Sequence, residues 1–140
     1  MADPSFDSLR SLAEMRFRDA EVLLHAERYS AAYYLSGYAV ECALKAVIAL
    51  SFRAQVIPSF RFVKDIHTHD LAQLVSLSGL KPALDAAKAQ DPEFDAKWAF
   101  VSGWKETSRY ETIDAFTAHR MLTAVGDPAA GVLQWLKTHW

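Results

Sequence analysis

The sequence predicts an all-α protein, an up-and-down helical bundle of four to five main helices plus short helical segments. Two observations carry that prediction. Residues 30–54, SAAYYLSGYAVECALKAVIALSFRA, are rich in Ala and Leu and contain no Pro, which favours helix over strand. Their length, about six to seven turns, also exceeds any ordinary strand. Apolar stripes at helical spacing then recur on either side of this stretch. A helix that is apolar on most sides must be wrapped by several others. With 140 residues the chain is large enough to bury such a core without staples, so residues 1–140 are read as a single domain.

Helix one is expected from Phe6 to Glu27, where Leu9, Ala13, Phe17, Ala20 and Leu24 fall on one core stripe. Arg10, Glu14, Arg18 and Glu21 supply its solvated face. The break at Glu27, Arg28 and Tyr29 is short, so helices one and two are antiparallel neighbours, with Ser30 as the expected N-cap of helix two. In helix two the small residues Ala31, Ala32, Gly37, Ala39, Ala43 and Ala46 let other helices come close, while Tyr34, Tyr38, Glu41 and Lys45 share one face. An irregular stretch, QVIPSFRFVKDIHT, follows, with Pro58 stopping any helix. Thr68 is the expected N-cap of HDLAQLVSLS, and Gly79 closes that helix. Pro82 opens a short helix through Ala89, and Asp91 and Pro92 begin EFDAKWAFVSGW, whose Phe94, Trp98 and Val101 form a buried edge. KETSRYE, Lys105 to Glu111, reads as a loop. Beyond it a kinked helix or two collinear pieces reach Thr138, because Met121, Leu122, Val125, Ala129, Val132 and Leu136 keep helical phase across Gly126-Asp127-Pro128.

Composition excludes several classes. A net charge of −2 gives no global basic signature, although Arg28 to Lys64 holds five basic residues against one acid, Glu41. The longest charge-free run in helix two, Tyr29–Val40, has 12 residues, short of the roughly 20 that a membrane span needs. The amino terminus, MADPSFDSLR, is acidic and polar where a secretory signal is basic and then apolar. A cytoplasmic protein with no membrane association is the resulting expectation. The lone Cys42 lies in the apolar helix and reads as an inert small hydrophobe.

Three groups could carry chemistry. Glu41 and Lys45 sit inside an apolar helix, where desolvation costs several kcal/mol per ion. Either they reach out through a bundle edge or pair with another helix, or they belong to a polar pocket flanked by Tyr34 and Tyr38. His67-Thr68-His69 has too few ligands nearby in sequence for a metal, so no metal is expected, and His69 reads as a structural hydrogen-bonder or as a wall of that pocket. Arg109 and Tyr110, beside Trp104, suit phosphate and base contacts, since a guanidinium forks phosphate oxygens while rings stack. They equally suit ordinary surface packing. No cofactor motif appears.

AERYSAAYYLSGYAVECALKAVI, then HDLAQLV, then W-x4-RY before a final helix, resembles the HEPN family (higher eukaryotes and prokaryotes nucleotide-binding) over about Leu12 to Trp135. The resemblance implies a helical bundle, usually a homodimer, that partners a nucleotidyltransferase or an antitoxin and binds a nucleotide or RNA. The ribonuclease members carry an Arg, four to six residues, then a His. Here nine residues separate Arg109 from His119, and Arg61 and His67, with five between them, lie before the third helix. The resulting expectation is a phosphate-binding module without much catalysis. In it Lys45 and Arg109 neutralise phosphate, Tyr38, Trp104 or Tyr110 stacks on a base, and Glu41 orients Lys45 or His69. The alternatives are a metal-independent ribonuclease using His69 or His119 against Arg109, and a purely structural dimerisation bundle.

Overall fold

The computed structural model describes residues 3–140, and among them all regular structure is helical. Eight α-helices and one 3-10 turn follow in order: α1 Phe6–His25, α2 Tyr29–Ala49, α3 Phe60–Asp65, α4 Leu71–Ser78, α5 Lys81–Gln90, α6 Pro92–Val101, η1 Glu106–Tyr110, α7 Ala115–Gly126 and α8 Val132–Lys137. Five of the eight α-helices have ten residues or more and three are shorter.

The central element is α2. It packs on α1, α4, α7, α8 and η1, and twelve of its 21 residues are buried. Ala13 and Ala20 of α1 and Ala32, Ala39, Ala43 and Ala46 of α2 are fully buried. Such small side chains let two backbones approach without forcing neighbours off-rotamer. Leu44, Leu71, Leu74, Met121 and Leu136 close the core around α2, each worth about 1.5–3 kcal/mol of apolar burial. Helix α7 lies against both α1 and α2, α6 and α8 pack on α7, and α5 joins α4 to α6.

Several boundaries differ from the sequence expectation. Helix α1 ends at His25, because Glu27 adopts a left-handed φ of 61° in the turn to α2. Arg28, not Ser30, is the N-cap residue of α2. Ser30 lies inside the helix, where its Oγ accepts the backbone N–H of Ile113 at 2.9 Å and pins the approach to α7. Helix α2 ends at Ala49 rather than Ala54. The stretch expected to be irregular contains α3, started by Ser59, whose side chain accepts from the Phe62 N–H.

Asp70, not Thr68, caps α4. Its carboxylate takes the Gln73 N–H, while the Thr68 hydroxyl accepts the Asp70 N–H and so shifts the helix start by two residues. Gly79 closes α4 at φ +78° as expected. Lys105–Glu111 is not plain loop, because Glu106–Tyr110 winds into η1. The last region splits into α7 and α8 at a turn that holds Ala129 in solvent.

Candidate functional site

One face of α2 carries Tyr34, Tyr38, Glu41 and Lys45, as the spacing predicts. Their surroundings come from two other places: the residues before α4 bring His69, and η1 with the two residues before it brings Trp104, Glu106, Arg109 and Tyr110. The glycine of α2 makes this possible. A Cβ on Gly37 would lie 2.2 Å from Cδ1 of Trp104, so the indole rests directly on the α2 backbone. Buried Trp104 in turn meets the Tyr34 ring at 5.7 Å, and Tyr34 lies parallel to Tyr38 at 6.4 Å between centroids. Trp104 Nε1, Ser108 Oγ and Ser36 Oγ are buried with no hydrogen-bond partner among the described residues.

Glu41 is 3% exposed and paired on both oxygens. Oε2 faces Lys45 Nζ at 3.3 Å, and Oε1 faces His69 Nδ1 at 2.9 Å. The other ring nitrogen of His69, Nε2, lies 3.1 Å from Oε2 of Glu106. The Nδ1–Glu41 contact is a hydrogen bond, and the Nε2–Glu106 contact sets a second carboxylate at ion-pair distance on the opposite side of the ring. The result is a charge chain, Lys45–Glu41–His69–Glu106, that ties α2 to η1 through the segment before α4. His69 is not the first residue of α4, which begins at Leu71, and a carboxylate faces each of its nitrogens.

Arg109 is exposed and faces phenols instead of a carboxylate. Its guanidinium carbon lies 5.0 Å from the centroid of the Tyr110 ring. Interaction first with the Tyr110 phenol and then with that of Tyr34 pushes its pKa further above an already high value. No carboxylate lies within ion-pair distance of Arg109 among the described residues. Burial, and then Cys42, push the Tyr38 hydroxyl up to about 12. Burial pushes the Cys42 thiol up to about 11, so at neutral pH it is a thiol and not a nucleophile.

Two open clefts flank the charge chain. A cleft of about 440 Å³ beside Lys45, Glu41 and Tyr38 is walled by Ser5, Ser8 and Leu12 at the start of α1. Another of about 310 Å³ lies between His69 and Glu106, floored by Trp104. His119 is elsewhere. It projects from α7 toward Tyr29, ring centroids 6.2 Å apart, and lines clefts with His25 and with Arg120. No hydrogen bond or ion pair joins it to Arg109. Among the described residues no group of His, Cys, Asp and Glu is arranged to hold a metal ion.

Glu106 is the site residue that sequence reasoning missed. An acid three residues before Arg109 was in view, but nothing in the linear spacing joins it to His69. A family model described as the HEPN domain matches residues 7–139. No curated protein and no solved structure matches the chain.

Proposed function

The chain belongs to the HEPN domain family, and from that premise we propose that it binds the phosphate backbone of RNA along the Tyr34–Lys45 face of α2 and the adjoining η1 turn. The observation that carries this reading is Arg109, an exposed cation without a carboxylate partner, standing over the Tyr110 ring and beside the Tyr34 phenol. A guanidinium held at a ring face offers phosphate contacts and base stacking together.

The spacing of the two cations selects among ligands. Lys45 lies eleven residues beyond Tyr34, the neighbour of Arg109, which is about 16 Å along the helix at the α-helical rise. One phosphate does not touch both ends, whereas a strand with several phosphates does. This favours an oligonucleotide over a mononucleotide, with Lys45 and Arg109 as its outer contacts. Tyr38, Trp104 and Tyr110 lie near that track, Trp104 buried as its floor and Tyr110 exposed for stacking. Glu41 orients Lys45 and His69.

The same reading makes the module a binder more than a catalyst. His69 has a carboxylate oxygen beside each nitrogen, that of Glu41 at 2.9 Å and that of Glu106 at 3.1 Å, so a substrate reaching the ring would have to displace one of them. A bundle of this kind serves as the RNA-engaging subunit beside a nucleotidyltransferase or an antitoxin, most simply as a homodimer.

Titration of a labelled single-stranded RNA against the protein, followed by fluorescence anisotropy over a series of salt concentrations, tests the reading. Arg109→Ala is expected to weaken binding about tenfold and to lower the log–log salt slope by about 0.7, the loss of one phosphate contact on a single strand. Its melting temperature should stay unchanged, since the side chain is exposed. Equal binding by the variant and the parent protein would remove Arg109 from the site, and cleavage of the RNA in EDTA would restore the ribonuclease alternative.

A further inference from the structure

Residues 50–64, LSFRAQVIPSFRFVK, contain three cations and no acid. They leave the end of α2 and carry five of the nine large apolar side chains exposed among the described residues: Leu50, Phe52, Val56, Ile57 and Phe60. Ile57 is 95% exposed and Phe60 82%. Their base is well made. Ser59 caps α3, and the Phe52 and Phe62 rings meet behind the tip at 5.6 Å. Of the three cations only Arg61 has an acid nearby, Asp65 at 3.7 Å, and an exposed pair at that distance is weak. Arg53 and Lys64 form no ion pair among the described residues.

Charge and shape narrow what can cover this tip. A second copy meeting it symmetrically would bring six cations together, which like-charge repulsion disfavours. A peptide would seat itself in the neighbouring depression of about 650 Å³, lined by Phe52, Val56, Phe62 and Leu77. Ile57 and Phe60 lie outside that depression, so the peptide would leave the two most exposed apolar residues in water. Apolar groups that project without walls beside them suit a fluid that closes around them.

We propose that the 50–64 tip docks this chain peripherally on an anionic lipid surface. Ile57 and Phe60 enter the boundary between headgroups and acyl chains, and Arg53, Arg61 and Lys64 meet lipid phosphates. No helix among the described residues is long and apolar enough to cross a bilayer, so the contact lies on the membrane without spanning it. The proposal departs from the sequence expectation of no membrane association and rests on residues other than those assigned to RNA.

Vesicle flotation of the purified full chain tests it, comparing phosphatidylcholine alone with phosphatidylcholine mixed with an equal amount of phosphatidylglycerol. The chain should float with the anionic vesicles only, and added salt should release it. An Ile57→Ser, Phe60→Ser double variant should bind about tenfold less or weaker still. An Arg61→Gln, Lys64→Gln variant should lose about thirtyfold, the expectation for two cations at an anionic surface. All four side chains are wholly or partly in solvent, and unchanged melting by circular dichroism confirms that both variants are folded. Failure of the parent protein to float with anionic vesicles overturns the proposal, as does flotation of both folded variants at the parent level. Binding to soluble polyglutamate without binding to vesicles, or a dimer in sedimentation that the Ile57→Ser, Phe60→Ser change dissolves, assigns the tip to a protein contact and likewise overturns it.

Discussion

Removing the Glu41 carboxylate would leave Lys45 and His69 facing each other with no anion between them. Glu41 is almost wholly enclosed, and its partners are the less buried members, so most of the desolvation already falls on the acid. Glu41→Ala is expected to cost about 3–5 kcal/mol, the usual consequence of breaking a buried ionic group by deleting one partner. Glu41→Gln should cost less, because the amide still offers one acceptor. Urea unfolding measures both, and a loss under about 1 kcal/mol for Glu41→Ala would mean that the charge chain contributes little to stability. Lys97 and Asp127 make a second tie, at 2.6 Å between α6 and the end of α7. Hydrogen bonding to Lys97 holds the Asp127 carboxyl below its usual range, and bonding to Asp127 holds the Lys97 ammonium above its own. A depressed carboxylate stabilises the fold above its unfolded pKa, and that stability is lost as pH falls through the folded value. A raised ammonium stabilises below its unfolded pKa, and that contribution is lost as pH rises through the folded value. Stability is therefore expected to decline below about pH 4 and again above about pH 10, and Asp127→Asn should flatten both limbs in melts taken across pH. At this scale the sequence is informative where one helix face holds the group, as with Tyr38, Glu41 and Lys45. Glu106 and Ser30 were not legible, because each acts across a tertiary contact whose partner is far away along the chain.

Among elements, η1 depends most on a single neighbour. With the Trp104 indole lying on the backbone of α2 at Gly37, Gly37→Ala pushes a methyl group into a buried ring that has no free space. The expected cost is about 1–3 kcal/mol of overpacking, or a fall in melting temperature of about 2–4 °C per kcal/mol at this chain length. The same substitution should weaken the proposed RNA binding, since the displaced indole carries the turn that bears Arg109. A melting curve and an RNA titration on one preparation check both parts. Helix identity was readable wherever an apolar stripe ran for three turns or more. Starts were less so, because Thr68 and Asp70 are both good capping residues two positions apart, and only the reach of Asp70 to the Gln73 N–H decides between them. The six-residue α3 was hidden because so short a helix draws its stability from packing and its cap more than from propensity.

The whole molecule takes its order from α2, and that much followed from the sequence alone: a helix apolar on nearly all sides leaves a bundle as the only way to remove it from water. Because α1, α4, α7 and α8 all share its surface, damage to α2 should be felt by all four at once and, through α4, α7 and α8, by α5 and α6. Leu44 is fully buried, and Leu44→Ala is expected to cost about 2–5 kcal/mol. Far-ultraviolet circular dichroism and tryptophan emission should then show one coincident transition at a lower urea midpoint with an unchanged slope. Separate transitions would show that the helices do not unfold as a unit.

The seating of Trp104 on Gly37 also gives the protein a built-in optical gauge. Indole emission moves to longer wavelength when the ring meets water, and this ring leaves its dry seat only if η1 lifts from α2. With Trp98, Trp135 and Trp140 each replaced by Phe, the colour of the remaining emission would report the docking of the Arg109 turn in real time, with no label attached.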